Sequence, residues 1–201
     1  MRPAQTLERL KTALVPGKVY RRSELARISS NVDRHLVQLV KAGQLKKVSQ
    51  GMYAAPRATV FGEAPPEEHS LLQSFLKDDH FVVYGPSQFN ALGLGTTQLY
   101  NTRVVFNRKR VGEFQLGSRT YTFHRWREAP KVLTQEFLVV ELLNRLNDLA
   151  EDRDRVVELL KNKLPQMNSR KLIHAARHYG TLSTLKKLEA IIKDNASGRS
   201  L

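Results

Sequence analysis

The sequence predicts an α+β fold, on three observations. Apolar residues recur every three to four positions at both ends of the chain, the pattern of helices. Short alternating runs between them have the pattern of strands. Between Lys18 and Pro56 a glycine-punctuated segment passes from the first pattern to the second. The opening helix spans Pro3 to Leu14, with Leu7, Leu10 and Leu14 as its inner stripe, and Pro16-Gly17 ends it. Val19-Tyr20 reads as a short strand. Leu25 and Ile28, three apart, suit the inner side of a short helix, and Ser29, Ser30 and Asn31 offer a break and an N-cap. Val32, Leu36, Leu39 and Val40 then define a second amphipathic helix, which Gly43 stops with a left-handed residue. Leu45–Val48 and Met52–Ala55 are strand runs joined by Ser49-Gln50-Gly51, a hairpin loop with Gly at the expected positive φ.

Two short helices, a glycine stop and a basic hairpin, in that order, are the pattern of a winged helix-turn-helix. We therefore expect a DNA-binding domain over 1–57. Gly62, Pro65 and Pro66 mark 58–66 as a linker, 67–195 as a mixed domain with a small β-sheet and a C-terminal helical group, and 196–201 as a flexible tail. In the mixed domain, EEHSLLQSFLK is a helix and Phe81–Tyr84 a buried strand, with a short helix starting at Pro86. RVVFN, EFQLG and SRTYTFHRWR are strands, and helical periodicity runs from Pro130 to Ile192.

Charge points the same way. Residues 1–57 hold 12 Lys/Arg against Glu8, Glu24 and Asp33, a net +9 of the chain's +14. Such a patch gains on a phosphate backbone through counterion release, at about 0.9 log units per phosphate. Cysteine is absent, which removes disulfides, thiolate metal sites and thiol nucleophiles. No apolar block has the length of a signal peptide or membrane span, so we expect a cytoplasmic protein without a membrane partner.

With Val32, Leu36, Leu39 and Val40 inward, Asn31, Arg34, His35 and Gln38 face outward as base-reading candidates. Asn and Gln match the paired donor and acceptor of adenine, and Arg matches the two acceptors of guanine. Asp33 either accepts from a cytosine amino group or sits as a helix N-terminal charge. Arg21, Arg22, Ser30, Lys41, Lys46, Lys47 and Gln50 flank that helix or lie on the hairpin, and are the phosphate-binding candidates.

An enzyme would need a constellation the chain lacks. His174 and His178 are four apart, as in a two-histidine metal pair, but no Glu follows His174 and no carboxylate ligand is near. GPSQFNALGLG has no Lys-Ser/Thr of a P-loop, and no G-x-S-x-G elbow occurs. Glu113, Glu136 and Glu141 are scattered carboxylates with no nuclease pattern. We expect no catalytic residue, metal or cofactor. Trp126, Tyr121 and Phe123, interleaved with Arg119, Arg125 and Arg127, keep stacking on RNA open as a further partner. Two alternatives stand beside a DNA-binding regulator of this kind: a repressor whose C-terminal domain binds a ligand or dimerises, and a nucleic-acid-processing or RNA-binding protein.

The chain resembles the AbiEi family, transcriptional regulators and antitoxins of bacterial abortive-infection (type IV) toxin–antitoxin operons. The resemblance lies in DRHLVQLVKAGQLKKVSQGMYAAP, VVYGPSQFNALGLGTTQ, RVVFNRKR, TYTFHRWR and HAARHYGTLSTLKKLEAII. It implies an autorepressor binding inverted repeats in its own operator and acting as antitoxin, directly or functionally, of a nucleotidyltransferase-like toxin. Arg34, Gln38 and Lys46-Lys47 match the DNA-contacting elements, and the region from Glu67 matches the antitoxicity module.

Overall fold

A computed structural model of the chain describes residues 3–85, 88–89, 92–93, 102–126, 130, 132–147 and 152–197. It is an α+β protein of two compact units, Met1–His80 with Lys109–Tyr121, and Phe81–Arg108 with Thr122–Leu201.

The first unit opens with α1 (Pro3–Ala13), β1 (Val19–Arg21), α2 (Arg22–Leu25) and α3 (Val32–Lys41), followed by β2 (Lys46–Ser49) and β3 (Met52–Ala54). Leu10, Leu25, Val32, Leu36, Leu39 and Leu45 form its core, so the apolar stripes of all three helices meet one another. The Tyr20 hydroxyl accepts from Val15 N at 2.7 Å and donates to Ala13 O at 3.1 Å, closing the end of α1. Gly43 (φ +69°) ends α3 and Gly51 (φ +66°) turns β2 into β3, the two positions where a left-handed residue is required. β3 is the central strand, antiparallel to both neighbours: Tyr53 faces Tyr20 on β1 and Lys47 on β2, with a bulge between Lys47 and Ser49.

The expected linker at 58–66 is corrected. β4 (Arg57–Thr59) and β5 (Gly62–Ala64) pair as an antiparallel hairpin, leaving Pro65, Pro66 and Glu67 as connection to α4 (Glu68–Leu76). α4 belongs to this first unit, because Val19 N donates to Ser70 Oγ (3.2 Å) and Ser74 Oγ donates to Val19 O (3.3 Å). The domain boundary placed at 57–67 thus falls inside a compact unit. β8 (Gly112–Leu116) comes later in the chain, after β6 (Phe81–Tyr84) and β7 (Thr102–Asn107), and pairs here with the start of β9 (Arg119–Arg125).

The second unit pairs β6 (Phe81–Tyr84) antiparallel with β7 (Thr102–Asn107), Val83 facing Val105, and the later part of β9 lies beside β7. β6 alternates between buried and half-buried residues rather than being buried throughout. The helices are α5 (Gln135–Asn144), α6 (Arg153–Lys163), α7 (Ser169–Tyr179) and α8 (Leu182–Ser197), with a 3-10 turn at Leu164–Gln166. α5 is buried from Phe137 to Leu143, a continuous apolar run broken only by Glu141. Thr134 caps it by accepting from Phe137 N at 3.1 Å. The helix expected from Pro86, with its Gly93 or Gly95 stop, lies largely outside the described residues. α8 runs to Ser197, two residues into the expected tail, and the rest of that tail is also outside them.

Candidate nucleic-acid interface

α3 sets the candidate surface. At 100° per residue, Val32, His35, Leu36 and Leu39 share one arc of the helix, and these are its buried residues. Arg34, Gln38 and Lys41 fall within about 60° of one another on the far side, and all three are exposed. Asn31, Ser30, Lys47 and Gln50 are exposed as well. Among the described residues no ion pair engages Arg34, Lys41 or Lys47.

Several expectations are corrected. His35 does not face outward: it is 4% exposed, and its Nδ1 lies 2.8 Å from the Oγ of the buried Ser29. That bond ties the turn after α2 to the first turn of α3. The sequence signal was its spacing, three after Val32 and four before Leu39. Val40, assigned to the inner stripe instead, is 38% exposed. Asn31 precedes the helix but its side chain makes no capping bond. Arg21 turns inward as well. Its Nε donates to Ser74 O (2.5 Å) and its Nη2 to Phe75 O (3.0 Å), placing a cation on the C-terminal carbonyls of α4, where the helix dipole favours it.

Two further cations are already partnered. Arg22 holds Asp33 through two parallel bonds, Nε to Oδ1 at 2.7 Å and Nη2 to Oδ2 at 2.5 Å. The hydrogen bond from Arg22 keeps the Asp33 carboxyl below its ordinary range. Asp33 is therefore a clamp from α3 to the start of α2. Lys46 Nζ pairs with Glu63 of β5 at 2.5 Å.

Val37 was absent from the candidates. It is 55% exposed on the outer side of α3, about 40° from Lys41 and 60° from Arg34 on the helical wheel. An apolar residue at the edge of the cationic arc, away from the buried stripe, is the signal in the sequence.

The remaining candidates meet other fates. Tyr121 and Phe123 are buried (1% and 0%), and Trp126 packs on Phe106 and Tyr179, so none of these rings is a free stacking platform. His174 and His178 stack at 4.2 Å, with His178 Nδ1 3.0 Å from His174 O. Glu141 is 4% exposed and accepts from the Tyr84 hydroxyl (2.5 Å), Arg145 Nε (2.5 Å) and Asn144 Nδ2 (3.4 Å). Glu136 lies five residues away, about 140° around the helix, so the two do not form a catalytic pair. Arg145 Nη2 also lies 2.9 Å from His124 Nε2. Since a guanidinium only donates, His124 accepts there and is neutral, its proton on Nδ1. Burial, then the Arg145 charge, holds the His124 pKa below its ordinary value. Asp78, Asp79 and His80 cluster with ligand atoms within 4.8 Å, but Lys109 (3.2 Å) and His80 (3.0 Å) already hold Asp78, whose carboxyl is pushed well below the usual range.

The fold and this surface define an α+β protein with a cationic helix face beside a β-hairpin. The crystal structure of the RV2827C protein from Mycobacterium tuberculosis shares that fold, with a TM-score of 0.60 over 96% of this chain and 76% of that one, at 15% identity. No family model and no curated protein matches the sequence. Among the described residues no helix is long and apolar enough to cross a membrane.

Proposed function

We propose that residues 1–57 form a winged helix-turn-helix that binds duplex DNA, with α3 in the major groove and the β2–β3 hairpin as the wing. The observation that carries this reading is the division of α3 into a buried arc and an outer arc of exposed polar and cationic residues. In this reading Arg34 and Gln38 address base edges, with Asn31 at the entry of the helix, and Val37 meets a thymine methyl group. Lys41, Lys47, Gln50 and Ser30 bind phosphates. Arg21, Arg22, His35 and Lys46 are structural, because each is buried or partnered within the unit.

The wider proposal is a cytoplasmic autorepressor that binds inverted repeats in its own operator and is the antitoxin of a nucleotidyltransferase-like toxin. The order of segments shared with the AbiEi family supports it, and the concentration of charge in residues 1–57 supports the DNA-binding part. The test is titration of the full chain against duplex DNA from upstream of its own operon. Log K should fall linearly with log salt, with a slope of about 0.9 per phosphate contacted. Co-expression with the adjacent gene tests the second part: relief of growth arrest supports it, and arrest that persists contradicts it.

A further inference from the structure

The β4–β5 hairpin carries its most apolar residues where water reaches them best. Val60 is 93% exposed and Phe61 98% exposed, at the turn between Thr59 and Gly62. Turn positions favour Pro, Asn, Asp, Ser and Gly, which preset φ or hydrogen-bond to nearby backbone. A β-branched residue followed by an aromatic has neither advantage. The turn is nevertheless firmly built. Thr59 Oγ1 donates to Gly62 O at 2.6 Å, Gly62 takes φ +105°, and three residue pairs from Arg57–Ala64 to Thr59–Gly62 hold the strands in register. The Lys46–Glu63 pair fastens the hairpin to β2.

Beside this projection lies a cleft of about 520 Å³, lined by Val48, Ala55, Pro56, Ala64, Pro65 and Pro66 together with Lys46, Lys47 and Arg119. Glu63 and Ser118 also line it, so the cleft combines an apolar part with a polar rim, and its size admits an aromatic ring.

We propose that projection and cleft are the two halves of a self-recognition surface, in which Phe61 of one copy enters the cleft of a second copy and receives that copy's Phe61 in return. Both features lie on one unit and share Glu63 and Ala64, so a two-fold axis between copies makes the two insertions at once. The Thr59-Val60-Phe61-Gly62 tip is uncharged, but Lys47 and Arg119 at the cleft add to the repulsion between two +14 chains, which salt screens. Two hairpin tips bury less than the roughly 1,200 Å² of a stable complex, so the pair is weak and reversible. The proposal does not rest on the DNA-binding reading.

Analytical ultracentrifugation of the full chain without nucleic acid, from about 1 μM to 1 mM, tests it. The native chain dimerises in the upper part of that range, and more strongly as salt rises, the opposite of duplex binding. Phe61→Ser weakens dimerisation by about tenfold or more. Ala64→Arg, or Pro65→Arg from the exposed edge, blocks the cleft and does the same. An equimolar mixture of Phe61→Ser with Ala64→Arg recovers hetero-association, because one intact tip then meets one intact cleft. A chain that stays monomeric throughout overturns the proposal, as does dimerisation untouched by Phe61→Ser, or lost with Phe61→Ser but retained by both cleft variants. So does a loss of duplex affinity by Phe61→Ser at concentrations where the chain is monomeric, which would assign the tip to DNA. Unchanged melting temperatures, expected for so exposed a side chain, show that the variants are folded.

Discussion

His35 and Arg34 are neighbours in sequence and opposite in role. His35 fills part of the core beneath α3 and satisfies Ser29, which is itself 2% exposed. His35→Ala opens a cavity and leaves the Ser29 hydroxyl without its partner, so it should cost about 1–3 kcal/mol of stability by urea denaturation. Duplex affinity per folded molecule should stay the same; a selective loss of affinity with stability intact would return His35 to the outer face. The helical arc was legible in the sequence as a period, and the misplacement arose at its edge. His and Val differ in polarity, and polarity favoured Val40 as the buried residue. The wheel places His35 deeper in the apolar stripe, where a hydrogen-bond partner makes burial tolerable. Arg21 was not legible at all, because its carbonyl partners lie 53 and 54 residues away.

Among the elements, the β2–β3 hairpin and α3 were legible because glycine marks their ends: Gly43 and Gly51 both take positive φ. The β4–β5 hairpin was not, since Val60-Phe61 carries no turn chemistry and Pro65-Pro66 reads as linker. Within the hairpin that we propose as the wing, Lys47 is exposed and has no ion-pair partner among the described residues, whereas Lys46 is held by Glu63. Lys47→Ala should therefore weaken binding to all duplex sequences alike and reduce the slope of log K against log salt by about one. Lys46→Ala should change that slope less. Equal slopes for the native chain and Lys47→Ala would remove this residue from the phosphate contacts.

For the whole molecule, charge and burial give separate, measurable signatures. The excess of positive charge in residues 1–57 was legible by counting, whereas the hydrogen-bonded group of Tyr84, Glu141, Arg145 and His124 joins positions up to 61 residues apart and was not. Because His124 is held below its ordinary value of 6.5, the unfolded chain binds a proton there more readily than the folded one. Its contribution is complete above about pH 6.5 and is lost as the pH falls below it. Chemical denaturation across this range should show stability falling with acid, and falling less for His124→Gln, which keeps an acceptor for Arg145 but does not titrate. An identical pH dependence in the variant would mean that His124 is not coupled to folding.

If the outer arc of α3 reads duplex DNA, as proposed, removing Arg34 must alter sequence preference and not affinity alone. Binding of the native chain and the variant is measured by fluorescence anisotropy on the operon duplex and on a scrambled duplex at the same salt. Arg34→Ala should lose about 1–3 kcal/mol on the operon duplex and much less on the scrambled one, narrowing the ratio between them. Equal losses on both duplexes, or none on either, would contradict it.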